Sequence, residues 1–147
     1  MILATPADSH QLGLGLAGLV RPGDAIALTG PLGAGKTSIA RGLLAGLGLA
    51  GEAPSPTFAI VQPYSLPEVR VPVLHVDAYR LRSPDEAEEL GLGEARGDSV
   101  LLVEWPERLD GRILADALWL TLAPDPAGGR ALTWAAPAAW DGRWPLT

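Results

Sequence analysis

Apolar residues along the chain come in short runs set off by glycine and proline, and the runs follow two different periods. Residues 24–29 (DAIALT) and 99–104 (SVLLVE) are almost continuously apolar, the pattern of strands covered on both faces. Ile39, Ala40, Leu43, Leu44 and Leu47 recur at helical spacing, which predicts a helix after the glycine-rich stretch 30–37, closing near Gly48. Upstream, 2–4 reads as a short strand; a glycine-rich helix then opens near Asp8 or Ser9 and ends before the turn signal Arg21-Pro22-Gly23. Downstream, 50–56 carries two prolines and reads as an exposed connection, with strand-like runs at 57–64 and 71–76. Ser83-Pro84-Asp85-Glu86 marks a helix start: a Ser cap, Pro at the first helical position, acids in the first turn. Residues 117–123 and 130–135 are expected to pair as a hairpin across 124–129. Helices alternating with apolar strands predict a three-layer α/β fold with a mixed, mostly parallel sheet.

Composition narrows the function classes. The 147 residues suit a single domain over 1–147, and 48% hydrophobic content supplies a core. No apolar run approaches the roughly 18 residues of a membrane span. The start MILATPADSHQ lacks the basic and apolar regions of a secretory signal. The expectation is a soluble cytoplasmic protein without a membrane role. With no cysteine, disulfides, thiolate zinc sites and cysteine nucleophiles are excluded; His10 and His75 are too few for a histidine metal cage. The net charge of −6 disfavours unaided RNA binding, because phosphate neutralisation supplies most of that affinity. Any RNA role is expected to run through a partner.

One lysine changes the picture. Lys36 is the only lysine, every other fixed cation being arginine, and it falls inside Gly30-Pro31-Leu32-Gly33-Ala34-Gly35-Lys36-Thr37. That octet fits the phosphate-loop pattern G-x-x-x-x-G-K-[ST]. Glycines let successive N–H groups converge on a phosphate, Lys36 reaches the β- and γ-phosphates, and the Thr37 hydroxyl ligates Mg²⁺. The following helix aims its N-terminus at the same anion. Leu32, Gly33, Ala34, Gly35, Lys36, Thr37 and Ser38 are therefore the expected nucleotide-binding residues of a P-loop NTPase-like domain. An ordinary glycine turn is the plainer alternative, but a strand before and an amphipathic helix after favour the phosphate loop.

Such a loop needs a carboxylate near Mg²⁺ at the end of a neighbouring strand. Glu104 and Asp77 both end apolar strands, where open α/β sheets deliver catalytic groups. Asp77 alone also reads as a turn acid. Thr57, in Ser55-Pro56-Thr57-Phe58, has the position of a γ-phosphate sensor or of a proline-fixed turn feeding a strand. His75 alternates with apolar neighbours and reads as packed in the sheet. Trp119, Trp134, Trp140 and Trp144 read as core and lid packing, since no basic residues are densely interleaved with them.

Together GPLGAGKT, SPTF at 55–58, HVDAYRL at 75–81, EELGL at 88–92 and VEWPERL at 103–109 resemble one family: the bacterial tRNA threonylcarbamoyladenosine biosynthesis ATPase of the TsaE (YjeE) type. The motifs keep the family's order and cover about 24–109; the last third matches only loosely, through strand pattern and the pair Gly129-Arg130. The resemblance implies a small protein that binds ATP and Mg²⁺, hydrolyses ATP slowly, and joins TsaB- and TsaD-type partners that would hold the tRNA. It implies Thr37 and Glu104 as Mg²⁺ ligands, Asp77 and Thr57 as catalytic or switch residues, and Trp105 as support. ATP would order 55–58 and the Asp77 loop into a surface for the partners, and hydrolysis would reset it. Three rivals differ in kind. A GTPase would carry N-K-x-D, yet the chain has no asparagine and no second lysine. A small-molecule kinase would need an acceptor pocket and an arginine-bearing lid. A non-catalytic ATP-sensing interaction module would keep the same residues without turnover.

Overall fold

The computed structural model describes residues 1–31, 33–51, 60–109 and 111–145. Among them lie strands β1 (Ile2–Leu3), β2 (Ala25–Thr29), β3 (Val61–Tyr64), β4 (Val73–Asp77), β5 (Val100–Glu104), β6 (Leu118–Pro124) and β7 (Arg130–Ala135). The helices are α1 (Pro6–Ala17), α2 (Lys36–Gly46), α3 (Pro84–Glu89) and α4 (Leu92–Ala95). One seven-stranded sheet runs β1-β7-β6-β2-β5-β4-β3. Its centre is parallel, β6 and β5 flanking β2 and β4 flanking β5. Its margins, β1–β7–β6 and β3–β4, are antiparallel.

Burial along the central strands explains the layers. In β2, Ile26 and Leu28 join the core cluster shared with α1 and α2, while Ala25 and Ala27 join the opposite one. β5 divides in the same way, Val100 and Leu102 against Leu101 and Val103. Both faces are therefore apolar and both are covered, as a parallel centre requires. Ala87 of α3 and Leu92 of α4 cover the second face, together with Leu109, Leu114 and Ala117.

Gly13 of α1 and Gly42 of α2 belong to packing. A Cβ on Gly13 would stand 2.2 Å from the Ile39 carbonyl oxygen, and one on Gly42 would stand 2.1 Å from that of His10. The two helices cross backbone against backbone, which sets α2 and the loop before it beside the start of α1. Helix α1 opens earlier than the pattern predicts. Thr5 is its N-cap, with Pro6 at N1 and a reciprocal Thr5–Asp8 capping box, so Asp8 is the box partner rather than the opening residue. Helix α2 ends as expected: Gly48 (φ 108°) follows the cap, and Leu49 N–H donates to the Leu44 carbonyl at 3.1 Å. The strand expected over 57–64 is seen from Val61; residues 57–59 lie outside the described residues.

The C-terminal tryptophans divide. Trp140 and Trp144 are buried in the α1/α2 core, and Trp119 packs on the opposite face. Trp134 is 41% exposed and meets Trp144 edge-on at 5.5 Å, so it stands outside the core.

Candidate functional site

The carboxyl ends of β2, β4 and β5 lie level, Asp77 opposite Glu104 and Glu104 opposite Leu28 in register. The loop after β2 turns back there into α2. That reversal needs a left-handed residue at the N-cap, and Gly35 supplies it at φ 102°. No side chain caps the helix, so its first N–H groups are left for an anion.

Lys36 opens α2 and is 5% exposed. Its Nζ donates to the Gly30 carbonyl at 2.6 Å and stands 3.5 Å from the centre of the Trp105 ring. Burial pulls its pKa below the ordinary lysine value, opposed by the negative charges of Glu104, Glu107 and Asp77. At the next position, Thr37 Oγ1 donates to Glu104 Oε1 at 3.4 Å. Glu104 is 6% exposed, and its other oxygen, Oε2, lies 2.7 Å from Nε2 of His75, itself 1% exposed.

Asp77 is a turn acid whose side chain also lines the cleft beside Lys36. Its Oδ1 accepts from Tyr79 N–H at 3.1 Å, capping the turn Ala78–Arg80. Trp105 holds φ 59°, the left-handed region that a bulky residue rarely enters. The strain places its ring between Lys36 and Tyr79, whose centroid is 5.1 Å away, and Arg108 lies 4.9 Å over Tyr79. A ladder of cations and rings thus runs from the phosphate loop to an exposed tyrosine.

These groups line a cleft of about 500 Å³, with residues 33–38 on one side and Asp77, Glu104 and Trp105 on another. Its far wall is made of Leu3, Ala4, Thr5, Pro6 and Arg130. Arg130 donates to the Gly33 carbonyl at 3.0 Å, tying the β6–β7 hairpin to the phosphate loop, and its buried Nε has no partner. Of the residues expected from the sequence, Gly33, Ala34, Gly35, Lys36, Thr37, Ser38, Asp77 and Glu104 are gathered in this cleft. Leu32 and Thr57 lie outside the described residues. Arg130, the Thr5 edge and the His75–Glu104 contact were not predicted; only the Gly129-Arg130 pair gave a signal.

The oxygens suit Mg²⁺. A hydroxyl and a carboxylate face each other beside an ammonium placed for phosphate, and Mg²⁺–nucleotide sites use one or two such protein ligands plus phosphate and water. Among the described residues no group of three or more His, Cys, Asp and Glu side chains could hold a metal. No helix among them is long and apolar enough to cross a membrane.

The chain is similar to known proteins along most of its length. The sequence model of the family "Threonylcarbamoyl adenosine biosynthesis protein TsaE" matches residues 3–132. The tRNA threonylcarbamoyladenosine biosynthesis protein TsaE of Streptomyces coelicolor is 45% identical over 114 residues, 77% of each chain. That of Treponema pallidum is 33% identical over 127 residues, 86% of this chain and 92% of the other. The crystal structure of Bacillus subtilis YdiB superposes with a TM-score of 0.71 at 28% identity, covering 92% of this chain and 83% of that one.

Proposed function

The chain belongs to the TsaE family, and from that membership we propose that it is a slow, Mg²⁺-dependent accessory ATPase in the formation of threonylcarbamoyladenosine in tRNA. The observation that carries the ATPase reading is the meeting of Thr37 and Glu104 at 3.4 Å beside Lys36, at the open N-terminus of α2. The N–H groups of the loop and of α2 would bind the phosphates, and Lys36 would leave the Gly30 carbonyl for their charge. Thr37 and Glu104 would hold Mg²⁺, which when bound draws charge from the phosphates. Asp77, within the same cleft, has the place of a water-orienting or switch carboxylate. Thr57 retains the sensor role implied by its motif. The cleft wall at Leu3, Pro6 and Arg130 is where the nucleoside would extend, beyond the phosphates.

The partners proposed are TsaB- and TsaD-type proteins. A net charge of −6 supports the view that tRNA is reached through them rather than held by this chain. One experiment separates this reading from its rivals: single-turnover reaction with ATP labelled at the γ-phosphate. The ATPase reading expects label released as inorganic phosphate. Label retained in ATP would mean a sensing module, and label on a metabolite would mean a kinase; either result overturns the proposal.

A further inference from the structure

His75 is the most buried ionisable side chain near the cleft, and nothing in the ATPase reading uses it. It lies on β4 two residues before Asp77, between Gln62 and Leu102 in the sheet register. Its Nε2 lies 2.7 Å from Glu104 Oε2, while its Nδ1 is buried without a partner. A carboxylate accepts hydrogen bonds and cannot donate one. The imidazole proton therefore belongs on Nε2, because a bare Nε2 lone pair would face the carboxylate oxygen, acceptor against acceptor, at 2.7 Å. Glu104 is then held from both sides, His75 donating to Oε2 and the Thr37 hydroxyl donating to Oε1 at 3.4 Å. A glutamate tethered at one oxygen only would keep rotamer freedom at its remaining torsions.

We propose that His75 is a positioning residue for the Glu104 carboxylate. By donating to Oε2 it turns Oε1 toward Thr37 and fixes the pair in the geometry that receives Mg²⁺ with a nucleotide. The inference rests on the reading of the cleft as a Mg²⁺–nucleotide site and adds a residue that touches neither metal nor nucleotide. Donors behind a ligand commonly matter in this way, because they set its orientation and basicity. If His75 served only to fill volume, leucine would replace it without loss at the metal.

The test is binding of N-methylanthraniloyl-ADP to the full chain, in Mg²⁺ and in EDTA, for the wild type, His75→Leu and His75→Gln. Leucine removes the donor; glutamine presents an amide N–H at about the reach of Nε2. The wild type is expected to bind more tightly in Mg²⁺. His75→Leu is expected to lose about 10- to 100-fold of that affinity, with affinity in EDTA unchanged, and His75→Gln is expected to recover most of it. An equal Mg²⁺ effect in wild type and His75→Leu would overturn the positioning role while leaving the Mg²⁺–nucleotide reading intact. A wild type whose affinity ignores Mg²⁺ would overturn that reading first, and the inference with it. Should the variants fail to fold, long-range proton–nitrogen NMR of the wild type decides. A proton on Nε2 is expected, with a resonance that moves on adding Mg²⁺ and ADP but not ADP alone; a proton on Nδ1 only would overturn the proposal.

Discussion

Lys36 rests on two substitutes for a phosphate, the Gly30 carbonyl and the face of Trp105. Both contacts are electrostatic, and a nucleotide would outbid both with full negative charge. Lys36→Ala should therefore reduce ATP affinity or turnover about 10- to 100-fold, the worth of one charge-assisted contact. Its thermal melt should stay close to that of the wild type, since the mutation also removes a buried ammonium; titration and melting of the same sample check both. Nucleotide binding should also draw Lys36 off the indole. A change in tryptophan fluorescence on adding ADP is expected in the wild type and should vanish in Trp105→Phe, the other four tryptophans reporting the background. At this scale the sequence was informative where chemistry is local. Lys36 and Thr37 are adjacent, and their motif states its own geometry. His75 and Glu104 are 29 positions apart, and their contact exists only because β4 lies beside β5. An alternating pattern says that His75 faces one side of a sheet, not which carboxylate it faces there.

The helices show a conflict that propensity alone would misread. Glycine weakens a helix interior by about 1 kcal/mol relative to alanine, yet α1 and α2 place Gly13 and Gly42 at their crossing. With the Gly42 Cβ position only 2.1 Å from the His10 carbonyl, alanine there must push the helices apart. Gly42→Ala is expected to destabilise the fold by about 1–3 kcal/mol despite its better propensity, seen as a melt roughly 3–10 °C lower. Because the crossing also seats the phosphate loop beside Ser9 and Thr5, nucleotide affinity should fall with it. The pattern of the sequence located both helices, since their apolar positions recur along one chain segment. It did not place the start of α1 at Pro6. Thr5, Pro6 and Asp8 form the cap there, and the proline-first, capping-box signature is as legible as the one correctly read at Ser83 and Pro84. At Ser83 the cap position is right, but the side chain makes no capping hydrogen bond.

Among the described residues, the first and last segments both close onto the rest of the fold. Strand β1 pairs with β7, which brings the start of the chain and Arg130 to the cleft. The last described segment folds across the α1/α2 face, where Arg143 donates to Asp24 through its two terminal guanidinium nitrogens at 2.6 and 3.0 Å and also donates to the Leu19 carbonyl. Both side chains are largely buried, 9% and 11% exposed. Removing one partner of such a pair leaves the other charge uncompensated, so Arg143→Ala should cost about 3–5 kcal/mol by denaturant melt. Strand order and these end-to-end closures were not legible, because long-range pairing leaves no mark within any one segment. The α/β layering was legible, since it needs only the alternation of helical and strand periods. For function, the measurement that decides is the steady-state rate of ATP hydrolysis, for the chain alone and with purified TsaB- and TsaD-type partners. Slow turnover alone that rises clearly with the partners, and is lost in Glu104→Gln, is the expected result; a rate indifferent to the partners would contradict the accessory-ATPase account.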